Sequence, residues 1–166
     1  MVARLLSVLT KSPGQPGADF RFRGKQKEKR DTARAMSQEN LEIVSRAISA
    51  INERDVDAYM AVCAPDFELI NPVAAIEGSN RGDEGIRAFF EGIQEATLRF
   101  KLEVERLQPL DGNRVLASLT LRVETKGGFE QSQAITNLYE LKDGKLSRVR
   151  VFWDHAQALE AAGLSE

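Results

Sequence analysis

A chain of 166 residues accommodates one domain and an extension, and 42% hydrophobic with 29% charged content is ordinary for a globular protein. One cysteine and one histidine exclude an intrachain disulfide and argue against a Cys/His zinc site, so neither a metal nor any other cofactor is expected. The formal net charge of -2 is unevenly placed, with nine Lys or Arg against three Asp or Glu in residues 1–35 and 14 against 22 in the remainder, an acidic body that argues against a nucleic-acid groove.

No apolar run is long enough to span a membrane, and the patch MVARLLSVLT is too short and too soon broken for a secretory signal. The expected location is therefore cytoplasmic. RFRGKQKEKRDTARA is polar, basic and aperiodic, so residues 1–35 are expected to be a disordered basic tail. Met36 opens MSQENLEIV, an ordinary protein start, which raises a start-site artefact as the origin of the tail and a basic targeting arm as its alternative. The domain proper is assigned to residues 36–166.

Ser37 is placed to cap a first helix, on which Leu41, Val44, Ala47, Ile48 and Ile51 form one apolar face. Asp55 caps a second, shorter helix carrying Ala58, Tyr59, Val62 and Cys63, which Pro65 stops. Cys63 reads as a buried packing residue. FELINPV is a short strand whose apolar side, Phe67 and Leu69, finishes on Asn71 before Pro72. Asp83 caps a third helix with Ile86, Phe89, Phe90 and Ile93 at helical spacing. From residue 98 the period falls to two, and four strands follow, joined at Asp111-Gly112, Gly127-Gly128 and Asp143-Gly144. DHAQALEAAGL closes the chain as a short helix with Asp154 as its N-cap. The class is α+β: a curved antiparallel sheet packed against three N-terminal helices, whose mouth forms a pocket lined by polar groups stranded on apolar faces.

NERDVDAYMAVCAPDFELINPV, GDEGIRAFFEGI and LYELKDGKLSRVRVFWDHAQALEAAGL together resemble the SnoaL-like branch of the nuclear transport factor 2-like superfamily, over residues 37–166. The resemblance implies a cone-shaped, cystatin-like architecture and a homodimer. It also implies a scaffold shared by ketosteroid isomerases, polyketide cyclases, limonene epoxide hydrolases and proteins without chemistry, so fold alone does not give function. In ketosteroid isomerases an aspartate before a proline is the general base; Asn71-Pro72 stands there in this chain. Their protonated aspartate donor matches Asn137, and their tyrosine donor falls at Ala47 or a neighbour. A carboxamide is no base near neutral pH, and loss of a positioned base costs about 10²–10⁴ in rate. An Asp-Arg-Asp set of the limonene epoxide hydrolase kind cannot be placed on inward positions.

The leading expectation is thus a small-molecule pocket protein that takes an apolar, weakly polar ligand of polyketide, steroid or terpenoid kind. Tyr59, Asn71 and Asn137 would supply hydrogen bonds. Leu119, the helix aromatics and Trp153 would form walls, with Trp153 at the deep end. For Asn71 the competing role is an Asx turn, for Asn137 a satisfied buried amide, and for Tyr59 core packing. Candidate catalytic carboxylates are Glu68 and Asp154, with Asp66 beside them, and alternation turns all three away from the pocket. An isomerase, cyclase or hydrolase using Glu68 or Asp154 after rearrangement is the enzyme alternative. A dimeric interaction domain with a vestigial pocket is the third. Arg148 and Arg150 fall on the outer sheet face, opposite Val149 and Val151, paired with acids such as Glu130 or Glu140.

Overall fold

The computed structural model describes residues 16–164, with side chains from Lys25 onward. Two units divide the chain, one ending at Ala35 and one of Met36–Glu166. In the first, residues 16–35 are the opening part of helix α1, Pro16–Glu53, and every side chain from Lys25 to Ala35 is exposed. Residues 25–35 carry no apolar face, and a helical stretch polar on every side has none to announce it in the sequence. Lys, Gln, Glu, Arg and Ala are strong helix formers, and proline suits the first helical position. Ser37 consequently lies inside α1 and caps nothing. The expected tail of residues 1–15 lies outside the described residues.

In the second unit α1 buries Val44, Ala47, Ile48 and Ile51, the predicted face. It stops at Arg54, whose φ of 57° is unusual for a residue with a Cβ. Arg54 Nη2 holds that conformation by donating to the Thr97 and Leu98 carbonyls, both at 3.3 Å. Asp55 then caps α2, Val56–Val62, accepting from the Ala58 N–H at 3.0 Å. Strand β1, Cys63–Ile70, begins before Pro65, so the helix ends without the proline. Pro65 instead sits where the β1 pairing is irregular, as a residue without an N–H must. A short turn of helix, α3 (Ala74–Glu77), and the two-residue strand β2 (Asn80–Arg81) follow.

Helix α4, Gly82–Ala96, starts one residue after Arg81, so Asp83 stands in its first turn rather than at its cap. Gly85 is required there: a Cβ would meet the Asn80 carbonyl carbon at 2.6 Å. Ile86, Phe90 and Ile93 are buried.

Strands β3 (Thr97–Asp111), β4 (Arg114–Thr125), β5 (Glu130–Lys142) and β6 (Lys145–Phe152) form the expected antiparallel meander. The β5–β6 hairpin turns on Asp143 and Gly144, with φ of 51° and 73°, as a two-residue turn of matching twist needs. The whole sheet runs β2-β1-β6-β5-β4-β3, curved and unclosed, and β1 is parallel to β6. One face packs on α1, α2 and α4 around Tyr59, Phe67, Val115, Leu119 and Leu146. On the other, Leu116 and Leu138 pack against Ala158 of α5, His155–Ala161, and against its C-cap Ala162. Architecture and class are those the sequence predicts.

Candidate functional site

Register brings the site together. On β5, Asn137 pairs with Ala117 of β4 and Val151 of β6, and Tyr139 with Val115 and Val149. All lie on the helix-facing side of the sheet. Ala117 is small, which leaves room beside the Asn137 amide. Here a cavity of about 250 Å³ opens between sheet and helices.

Its closed end is marked by Tyr59, Leu69, Asn137, Tyr139 and Val149, all at most 5% exposed. Its mouth is marked by Asn71, Pro72, Val73 and Trp153, the last 59% exposed. Phe89, Phe100, Leu121 and Val151 make walls between. Among the described residues, no Asp, Glu, Lys, Arg or His lines it. A larger hollow over Arg99, Arg122, Glu124 and Glu130 is open and charged, with Arg99 paired to Glu124 at 3.8 Å. The apolar cavity is the better ligand site on chemical grounds.

Asn137 Nδ2 donates to Tyr139 Oη at 3.2 Å, while Asn137 Oδ1 is buried without a hydrogen-bond partner among the described residues. Turning the amide end for end would let the Tyr139 hydroxyl donate to Oδ1 and leave Nδ2 over instead. Either way one polar atom of this amide, buried beside the cavity, has no partner among the described residues. Tyr59 packs edge-on against Phe67 and Phe90, with ring centroids 5.7 and 5.5 Å away. It is therefore both core and cavity lining. Burial pushes the Tyr139 hydroxyl up to about 12, against the lowering effect of the Asn137 hydrogen bond. Burial, with Cys63 and Tyr139 adding to it, raises Tyr59 well above its ordinary value. Burial likewise pushes the Cys63 thiol up to about 12, which leaves it a packing residue and no nucleophile at neutral pH.

Asn71 makes the Asx turn and also borders the cavity. Its Oδ1 accepts from the Val73 N–H at 3.1 Å, an Asx turn, while the residue lines the mouth. Leu119 does not line the cavity; it is 1% exposed within the core, and Leu121 two residues on takes the wall position. Trp153 is at the mouth and not the deep end, because β6 stops at Phe152 and exposure rises from Val149 outward. Phe89 is wall and Phe90 core. Tyr139 is the polar lining residue not singled out from sequence, although its spacing of two from Asn137 announces a shared face.

The carboxylates lie elsewhere. Glu68 Oε1 accepts from Ser79 Oγ at 2.7 Å and from Arg81 Nη2 at 2.9 Å, and Oε2 faces Arg148 at 3.5 Å. The Ser79 hydrogen bond first, then Arg81 and Arg148, lower its pKa. Asp154 caps α5, accepting from the Ala156 N–H at 2.8 Å. Asp66 is exposed. Arg148 and Arg150 both meet Glu140 at 3.5 Å, and Glu130 is not their partner. Among the described residues no cluster of His, Cys, Asp or Glu could hold a metal, and no helix is long and apolar enough to cross a membrane.

A cone of helices on a bent sheet around one apolar cavity defines the nuclear transport factor 2-like class. Residues 44–149 match the model of the SnoaL-like domain, and the chain belongs to that family. Solved structures agree on the fold. A Mycobacterium tuberculosis protein in complex with estradiol-17beta-hemisuccinate is 21% identical, with a TM-score of 0.62 over 70% of this chain and 95% of that one. A Burkholderia pseudomallei protein of unknown function, described as NTF2-like, is 19% identical, with a TM-score of 0.63 over 74% and 95%. A Catenulispora acidiphila protein with a ketosteroid isomerase-like fold, in complex with trimethylamine, is 16% identical, with a TM-score of 0.61 over 74% and 93%. Among curated proteins, none matches the sequence.

Proposed function

We propose that the chain binds a small apolar molecule of weak polarity in this cavity, with hydrogen bonds from Asn137, Tyr59 and Asn71. The observation that carries the reading is the apolar cavity of about 250 Å³ with a 4%-exposed amide in its wall. That volume lies just below the common range of about 300–1,000 Å³ for ligand pockets, so a molecule of one or two rings suits it better than a full steroid. A steroid complex in a relative of the same fold is compatible with the site type. The isomerase, cyclase or hydrolase alternative loses its two named carboxylates, since Glu68 is held by Ser79 and Arg81 and Asp154 caps a helix. The interaction-domain alternative requires a cone filled by its own side chains. A homodimer in the cytoplasm remains part of the proposal.

The test is a ¹H–¹⁵N shift titration of the full chain with naphthalene. Shifts should converge on the amides of Leu69, Leu121, Ile135 and Val149, and Val151→Trp should abolish them. Shifts absent, or scattered over the outer sheet face, would reject the pocket.

A further inference from the structure

We infer that the cavity takes neutral ligands through a hydroxyl group, phenolic or alcoholic, inserted at its closed end against Asn137 and Tyr139. This rests on the small-molecule reading above and specifies its ligand class.

With Asn137 Nδ2 donating to Tyr139 Oη, the pair offers the cavity one acceptor, Oδ1, and one donor, the phenolic proton. With the amide turned, Tyr139 donates to Oδ1, and the pair again offers one donor, Nδ2, and one acceptor lone pair on Oη. In both arrangements the complement is a group that donates and accepts at once. A hydroxyl does so. A ketone or ether oxygen only accepts, so it leaves the acceptor of the pair unmatched. A carboxylate lacks the donor as well and would bring a charge where no cationic side chain among the described residues lines the cavity. The low polarity that disfavours ionising Tyr139 disfavours an anionic ligand equally. Fusion of the hydroxyl to an apolar body fits the remaining walls, Phe89, Phe100, Leu121 and Val151.

Four probes of similar size separate the contributions at pH 7: 2-naphthol, 2-methoxynaphthalene, 2-naphthoate and naphthalene. Dissociation constants come from the same shift titration of the full chain. 2-Naphthol should bind roughly ten- to a hundredfold more tightly than 2-methoxynaphthalene and 2-naphthoate, the factor expected from pairing a buried polar atom. It should also move the Asn137 Nδ2 resonance furthest. Asn137→Leu should bring 2-naphthol and 2-methoxynaphthalene to within about twofold of each other, by loss of the same pairing. Equal or tighter binding of the ether or the carboxylate overturns the inference while naphthalene binding keeps the pocket reading intact. If none of the four binds, both fall.

Discussion

Two asparagines with opposite duties, half-buried Asn52 and buried Asn137, give the sharpest test of the site. Asn52, at the end of α1, behaves as a piece of strand: Nδ2 donates to the Leu102 carbonyl at 2.9 Å and Oδ1 accepts from the Leu102 N–H at 2.7 Å. It thereby pins edge strand β3 where Leu102 and Phe100 enter the cavity wall. Asn52→Leu removes both bonds and leaves two groups of a 5%-exposed residue unpaired. The expected cost is about 2–4 kcal/mol. Asn137 has one bond and one unpaired atom. Asn137→Leu loses about 0.5–1.5 kcal/mol with that bond and leaves the buried Tyr139 hydroxyl unpaired at about 1–3 kcal/mol, but recovers about 1–3 kcal/mol by deleting its own orphan. The added apolar burial contributes about 0.8 kcal/mol per methylene equivalent, so the variant should fall within about 1 kcal/mol of the parent. Urea unfolding at pH 7 measures both, with the midpoint lowered for Asn52→Leu and nearly unmoved for Asn137→Leu at unchanged slope. A buried polar side chain whose removal costs the fold almost nothing is retained for something other than the fold. If Asn137→Leu is destabilised as much as Asn52→Leu, its amide is fully satisfied within the folded chain, and the argument for a ligand contact fails.

The chain has only two tyrosines, and both line the cavity, so absorbance at 295 nm reports that site alone. Their folded pKa values are raised, so protonation favours the fold below the ordinary value of 10.0, and that contribution is lost as pH climbs towards about 12. Tyrosinate should be nearly absent near pH 10 in the native protein, half-formed there in urea, and should appear natively only together with alkaline unfolding; native titration near pH 10 would refute the burial argument. For Glu68 the sign is opposite: its folded pKa lies below 4.5, so its stabilisation is present above that value and lost as pH falls through the folded pKa. Glu68→Gln should lower Tm at pH 7, and the gap to the parent should close in acid; a gap independent of pH would assign the effect to packing. Asp154→Ala should cost about 0.5–2 kcal/mol, the usual loss for an N-cap, and leave naphthalene shifts unchanged. A lost titration there would return Asp154 to the site.

Legibility followed the range of the interaction. The helices over 41–51, 56–62 and 86–93, the hairpin at Asp143-Gly144 and the Asp154 cap were readable because each depends on neighbours within a few residues. The parallel pairing of β1 with β6 was not, since it joins positions such as Leu69 and Val149 and no local signal encodes it. The helical run before Met36 is the reverse case: propensity alone favours it, and no buried face announces it.

In the site itself, alternation placed Asn137 inward and Glu68 outward, and both positions hold. Alternation gives the face but not the depth, which explains the two misplaced walls. Leu119 and Leu121 share a face, yet only the second reaches the cavity. Trp153 continues the parity of Val149 and Val151, but the strand has ended and the chain is turning into α5, so parity no longer fixes direction. The strand end at Asn71-Pro72 shows how the two levels join. Pro72 ends β1, and the Asx turn uses the amide oxygen of Asn71 on the Val73 N–H. The amide nitrogen is left as a donor at the mouth. One short polar side chain therefore both closes the strand and borders the cavity that the strand helps to form.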